Sequence, residues 1–265
     1  MDKESLFFCR KWFEDYTGGI HSQDSETEAN IDLKLAHTNR VRENITNIAR
    51  SLEMIEGDLN LAQAIAILHD VGRFEQLRDF GSFDDRRTLD HALLGLKVIN
   101  RSKVLCHLPE RDRNLIRKSI WNHNKCRIPE NEKTEVVLFS KMIRDADKLD
   151  ILGIVADHLE NRDHHPNRAL DLGLADELRL THDPVSDILQ EKMVRIEGMR
   201  TIGDLHLMYL SWIFDISFPI TMAAIIEKCY LERLLSGISA QPEILSVRDS
   251  LQAFLEKRSL RAGLR

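Results

Sequence analysis

Apolar residues along this chain recur at three- and four-residue steps, the period of an α-helix with one buried face. Leu33, Val41, Ile45 and Ile48 make one stripe, and Ala62, Ile65 and Ala66 make a second. Leu94, Val98 and Ile99 form a third, Ile116 and Ile120 a fourth. A long helix is predicted after Pro129, with Val136, Phe139, Ile143, Ile151 and Ile154 on its apolar side. The last third adds predicted helices around Ile188–Ile196, Leu205–Phe214, Ile220–Leu235 and Ile244–Leu255, and Pro219 falls where a first helical turn tolerates it. Polar stretches at 17–29, 78–90 and 161–184 read as loops. With no internal repeat, low-complexity tract or hairpin signal, the expected architecture is a single all-α domain over 1–265 with a C-terminal helical extension at 185–265.

Composition supports helices, because only 12 glycines and 6 prolines punctuate 265 residues. A formal charge of -6 argues against an extended nucleic-acid surface but permits a local basic pocket for phosphate. Cys9, Cys106, Cys126 and Cys229 form no CxxC pair and no disulfide rhythm, which suits a reducing compartment. The first residues lead into an amphipathic stretch with Glu14 and Asp15, unlike a signal peptide. The most apolar stretch, Ser211 to Ile226, is broken by Asp215 and Pro219 and is too short to span a bilayer. These features predict a cytoplasmic protein with no membrane partner.

Polar residues that interrupt the stripes carry the chemical information. His37 stands four residues from both Leu33 and Val41, and His69 stands four after Ile65. His91 lies three before Leu94, His123 three after Ile120, and Asp147 midway between Ile143 and Ile151. An ionisable group on an apolar face is costly unless it is paired, hydrogen-bonded or bound to metal. Any one histidine is ordinarily a core residue satisfied by a carbonyl. For Asp147 the structural alternative is an ion pair with Arg144, one turn back, since Lys148 points about 100° away. Taken together, imidazoles mixed with carboxylates suit one or two ions of Mn, Fe, Co, Ni or Zn, with Mg as a further option.

The run Ala64-Ile65-Ala66-Ile67-Leu68-His69-Asp70-Val71-Gly72-Arg73-Phe74 resembles the central signature of the HD-domain superfamily of metal-dependent phosphohydrolases. That pattern is a His, a His-Asp pair and a distant Asp, each on its own helix. His37, in His37-Thr38-Asn39-Arg40-Val41, resembles the first His. Asp147, in Arg144-Asp145-Ala146-Asp147-Lys148-Leu149-Asp150, resembles the last Asp, with Asp145 as the less well aligned alternative. His91 and His123 resemble the additional histidines of binuclear members. The resemblance covers roughly residues 30–160 and implies a compact HD-domain helical core there.

It further implies metal-activated water attacking a phosphomonoester or phosphodiester of a small, nucleotide-like molecule. His37, His69, Asp70 and Asp147 would hold one metal, and Asp70 would bridge to a second held by His91 and His123. Asp70 and Lys148 are the catalytic candidates, with Arg73 and the weaker Arg40 as phosphate contacts; an ordinary ion pair is the alternative for each cation. Val71-Gly72-Arg73-Phe74-Glu75 departs from the acidic pair of guanosine polyphosphate hydrolases, and the glycine-tyrosine-proline signature of cyclic-dinucleotide phosphodiesterases is absent. The charged loop at 78–90 could border the pocket or simply be solvated, and His164-His165-Pro166 reads as a surface loop. No GxSxG elbow or phosphate-cradling glycine loop offers another chemistry. A metal- or nucleotide-binding regulator and a metal-free helical module are the competing functions. The helices after residue 185 have two open uses, covering the pocket or forming a homo-oligomer contact.

Overall fold

The computed structural model describes residues 1–164, 166–167, 169–238 and 241–261, with side chains up to residue 258. The chain is all-α; among the described residues the sole extended pairing is an isolated parallel bridge between Ala175 and Thr201. Its residues divide into two compact units, Met1–Asp150 and Ile151–Arg265. No helix of the described residues is long and apolar enough to cross a membrane.

The first unit holds α1 (Lys3–Thr17), α2 (Ser25–Ser51), α3 (Glu56–Leu68), α4 (Val71–Phe80), α5 (His91–Ser102), α6 (Glu110–His123) and the start of α7 (Thr134–Asn161). Helix α2 begins inside the stretch expected as loop, because Asp24 caps it by accepting a hydrogen bond from the Thr27 amide at 2.8 Å. Glu26 and Glu28 in its first turn add charge that complements the helix dipole. Its end is equally local: Glu53 adopts φ 52° while the amides of Glu53 and Met54 return to Arg50 and Ala49. That is a Schellman closure with glutamate where glycine is usual. Helix α2 packs on α3, α4 on α5, and α3 on α6, around fully buried Ile45, Ile65, Phe74, Ile99, Ile116 and Phe139. Burying side chains of this size is worth about 1.5–3 kcal/mol each before entropy is counted.

Two close features fix the frame of the site. Gly81 ends α4 in the left-handed conformation, φ 60°, and its amide donates to Leu77 at 2.7 Å. Gly72 lets α4 and α5 touch backbone to backbone, since a Cβ there would lie 2.3 Å from the His91 carbonyl oxygen.

The second unit holds the rest of α7, α8 (His182–Leu189), α9 (Ile202–Ser211), α10 (Pro219–Glu227), α11 (Tyr230–Ser236) and α12 (Ile244–Arg261). Two predicted helices are corrected here. The Ile188–Ile196 helix stops at Leu189, because Glu191 turns left-handed at φ 54° and Lys192 closes the end on Asp187. The Ile220–Leu235 helix is two helices, broken at Cys229, which has φ 53°. Pro219 does open α10. His165 lies outside the described residues.

Candidate metal centre

Six residues from separate parts of the first unit meet in one buried cluster. His37 comes from the middle of α2 and Asp147 from the middle of α7. The other four stand at helix ends: His69 closes α3, Asp70 opens α4, His91 opens α5 and His123 closes α6. The His-Asp pair therefore sits at a junction between two helices, where the resemblance implied a helix. Asp70 occupies the capping position of α4 but makes no capping hydrogen bond, so its carboxylate is turned to the cluster.

Each histidine has its Nδ1 tied outward. His69 Nδ1 donates to the Ala66 carbonyl at 2.8 Å, and His123 Nδ1 donates to the Ile120 carbonyl at 2.6 Å. These acceptors lie three residues back in final helical turns, where the helix leaves carbonyls unpaired. His37 Nδ1 faces Asp150 at 2.7 Å and His91 Nδ1 faces Asp85 at 2.6 Å. A carbonyl cannot donate, so the protons of His69 and His123 reside on Nδ1; ionised carboxylates impose the same tautomer on the other two.

All four Nε2 atoms consequently turn inward onto Asp70 and Asp147. Asp70 Oδ2 lies 3.5 Å from His37 Nε2 and 3.5 Å from His69 Nε2. Its other oxygen, Oδ1, lies 3.4 Å from His91 Nε2 and 3.6 Å from His123 Nε2. Asp147 Oδ1 is 3.2 Å from His37 Nε2 and 3.7 Å from His69 Nε2. Asp70 thus presents one oxygen to each pair of histidines.

Those donors fit a metal. His37 Nε2, His69 Nε2 and Asp147 Oδ1 are buried and have no hydrogen-bond partner among the described residues. His91 Nε2 and His123 Nε2 are 2.9 Å apart. With Nδ1 protonated on both rings, two lone pairs face each other at that distance, an arrangement that calls for a shared proton or a cation. Burial, then the Arg73 charge, pushes His91 down to about 4, against the pull of Asp85 and Asp70. Three groups each meet the geometry of a metal site: His37-His69-Asp70, His69-His123-Asp147 and Asp70-His91-His123. Each imidazole also has the outer hydrogen bond that metal-ligating histidines make.

The electrostatics around the cluster are mixed. Burial and Lys34 oppose charge on His37, but Asp147, Asp150 and Asp70 outweigh them and raise it to about 9. Against their burial, Asp70 is held well below the usual carboxylate range by Lys34 and His69, and Asp147 by His37 and His69. A metal taking His37 Nε2 displaces its proton, so affinity must fall as pH falls.

Around the cluster, Lys148 is buried beside Asp147 on α7. Arg73 Nη1 donates to Gln76, Phe83 and Asp85, while its Nε, ion-paired with Asp70 Oδ1 at 3.8 Å, is buried without a hydrogen-bond partner. Arg40 holds both oxygens of Asp150, at 2.5 and 3.2 Å, and so reaches the site through His37's partner. Arg144 reaches the carbonyls of Asn122, His123 and Lys125 at the end of α6.

Three participants escaped the sequence reading. Lys34 donates to Asp70 Oδ2 at 2.6 Å from a buried position. Its signal was available: it stands three residues before His37, on the same face of α2. Asp150 stands three after Asp147 and follows the same logic. Asp85 sits in a polar loop and gave no signal beyond its charge.

Residues 35–150 match the family model of the HD domain. That match covers the segment that holds all six clustered residues and is consistent with the HD-domain superfamily. No curated protein and no solved structure matches the chain significantly.

Proposed function

We propose that this protein is a metal-dependent phosphohydrolase that cleaves a phosphomonoester or phosphodiester of a small, nucleotide-like molecule. The observation that carries this reading is the convergence of four outward-tethered imidazoles on the two oxygens of Asp70. His37, His69, Asp70 and Asp147 would hold a first divalent ion, and His91 and His123 with Asp70 would hold another. One or two ions of Mn, Fe, Co, Ni, Zn or Mg bound there would supply Lewis-acid charge and activate water for attack.

The protein's own groups do the remaining work. Asp147, with 16% of its side chain exposed, marks the solvent side of the cluster and hence the approach for substrate. The Nε of Arg73, which has no hydrogen-bond partner, faces the cluster and is the donor for a phosphate oxygen. Lys148 and Lys34 add positive charge where negative charge develops on the phosphoryl group. Arg40 acts through Asp150, which fixes the ring of His37. The nucleotide-like substrate rests on the superfamily resemblance alone.

The test is a panel of phosphomonoesters and phosphodiesters with added Mn²⁺, Co²⁺, Ni²⁺ or Mg²⁺. Turnover is expected with at least one pairing, and Asp70→Ala or Asp147→Ala is expected to abolish it while far-UV circular dichroism stays helical. Turnover persisting in both variants refutes the assignment. Bound metal without turnover across the panel points instead to a metal- or nucleotide-binding regulator.

A further inference from the structure

His91 differs from the other three histidines in what can orient it. His69 and His123 close their helices and use carbonyls that the last turn leaves free. His37 lies mid-helix, where carbonyls are already paired, and uses Asp150, itself in a helix. His91 is the first residue of α5. The free backbone groups at a helix start are N–H donors, which cannot accept from a ring N–H. Its acceptor must come from outside the helix, and it comes from the loop: Asp85 at 2.6 Å.

That loop is anchored from α4. Asp85 Oδ1 accepts from Arg73 at 2.8 Å and from Gln76 at 2.9 Å, and Gln76 also donates to Thr88 Oγ1 and the Leu89 carbonyl. Gln76 is fully buried, so its amide is a fixed post against which the loop is pinned. Asp84 holds the loop separately, by accepting from the Arg86 amide and guanidinium. The Asp85 side chain is nevertheless 31% exposed. Three histidines are oriented by helices and one by a solvent-accessible loop residue.

We propose that Asp85 is a positioning residue for the His91-His123 half of the centre, and that the loop of residues 81–90 thereby decides whether the centre holds one divalent ion or two. This rests on the metal-centre reading above and concerns only its second half. His37 and His69, in the other half, take their orienting hydrogen bonds from helical acceptors and not from the loop.

The test is titration of chelator-stripped full-length protein with Mn²⁺, read by calorimetry and by electron paramagnetic resonance for the exchange-coupled pair. Wild type is expected to bind two equivalents and show the coupled spectrum. Asp85→Asn and Asp85→Ser are both titrated, so that a folding failure in one leaves the other to decide. Each should retain one tight equivalent, weaken the second by roughly 10–100-fold and lose the coupled spectrum at two added equivalents. Asp84→Asn, which loosens the same loop without touching His91, should keep both equivalents. Unchanged binding in the Asp85 variants overturns the proposal, as does an equal loss in Asp84→Asn. A wild type that binds one equivalent overturns it while the metal-centre reading stands, and a wild type that binds none overturns both.

Discussion

Replacing Gly72 by alanine tests the frame that brings His91 to the cluster. In an open helix interior this change gains about 0.5–1 kcal/mol, because alanine is the better helix former. Here the new Cβ would lie 2.3 Å from the His91 carbonyl oxygen, 2.4 Å from the Gly95 nitrogen and 3.0 Å from the Gly95 Cα. Ordinary contacts begin at 3.4 Å, and all three neighbours are backbone, so no side chain can swing aside. Helices α4 and α5 must part by about 1 Å, in an interior that is close-packed. Overpacking typically costs about 1–3 kcal/mol, and a backbone-to-backbone clash belongs at the upper end. Subtracting the propensity gain leaves a net loss of about 2 kcal/mol, or roughly 4–8 °C in melting temperature. Gly95→Ala is the control: its Cβ meets the Gly72 nitrogen at 3.3 Å and Val71 Cγ1 at 3.4 Å, so its effect should stay within about 1 kcal/mol. The assay is urea and thermal unfolding followed by far-UV circular dichroism. A Gly72→Ala protein as stable as wild type would refute the close-approach argument. Moving the His91 backbone should also weaken the second Mn²⁺ equivalent in Gly72→Ala.

Two further predictions concern groups away from the centre. Burial pushes the Cys9 thiol up to about 12, whereas Cys106, Cys126 and Cys229 are exposed, so a thiol reagent should label three cysteines in the native protein and four in denaturant; fast labelling of Cys9 in the native state would contradict its packing. Burial, aided by Arg162 and opposed by the hydrogen bond to Leu234, lowers His206 below its ordinary 6.5, so the unfolded chain takes up its proton first and stability is lost as pH falls below about 6.5; the urea midpoint should fall less between pH 7.5 and 5.5 in His206→Gln than in wild type, and equal falls would count against it.

Much of this fold was legible because helices advertise a buried face. The stripe of Leu33, Val41 and Ile45 lies on α2, and that of Ile116 and Ile120 on α6. The same stripes exposed the candidate site, since His37, His69, His123 and Asp147 stand where apolar residues are expected. Helix ends were read less well, for a specific reason. The ends at Glu53, Glu191 and Cys229 use left-handed residues other than glycine, and such residues carry no compositional mark. Lys34 carried a positional signal, three residues before His37, that was passed over because a lysine on a helix ordinarily reads as solvated; the fold brings its ammonium to Asp70. Asp85 was hidden more deeply, since a carboxylate among Asp84, Arg86 and Arg87 is indistinguishable from loop solubility until His91 is placed against it.

What orients each histidine follows from where it stands on its helix. A histidine at a helix C-terminus finds a free carbonyl within its own last turn, so sequence alone supplies the partner: Ala66 for His69 and Ile120 for His123. A histidine in mid-helix or at a helix N-terminus finds no free acceptor on its own helix and must borrow a carboxylate. His37 borrows Asp150, and His91 borrows Asp85. The two borrowed acids differ in what secures them. Asp150 lies in α7, with both its oxygens held by Arg40; Asp85 lies in a loop pinned by Gln76 and Arg73. A centre assembled in this way has three histidines whose direction is set as soon as the helices pack. Its fourth depends on Asp85 in the loop of residues 81–90, so under the proposal above the His91 side of Asp70 is the half that a loop mutation changes first.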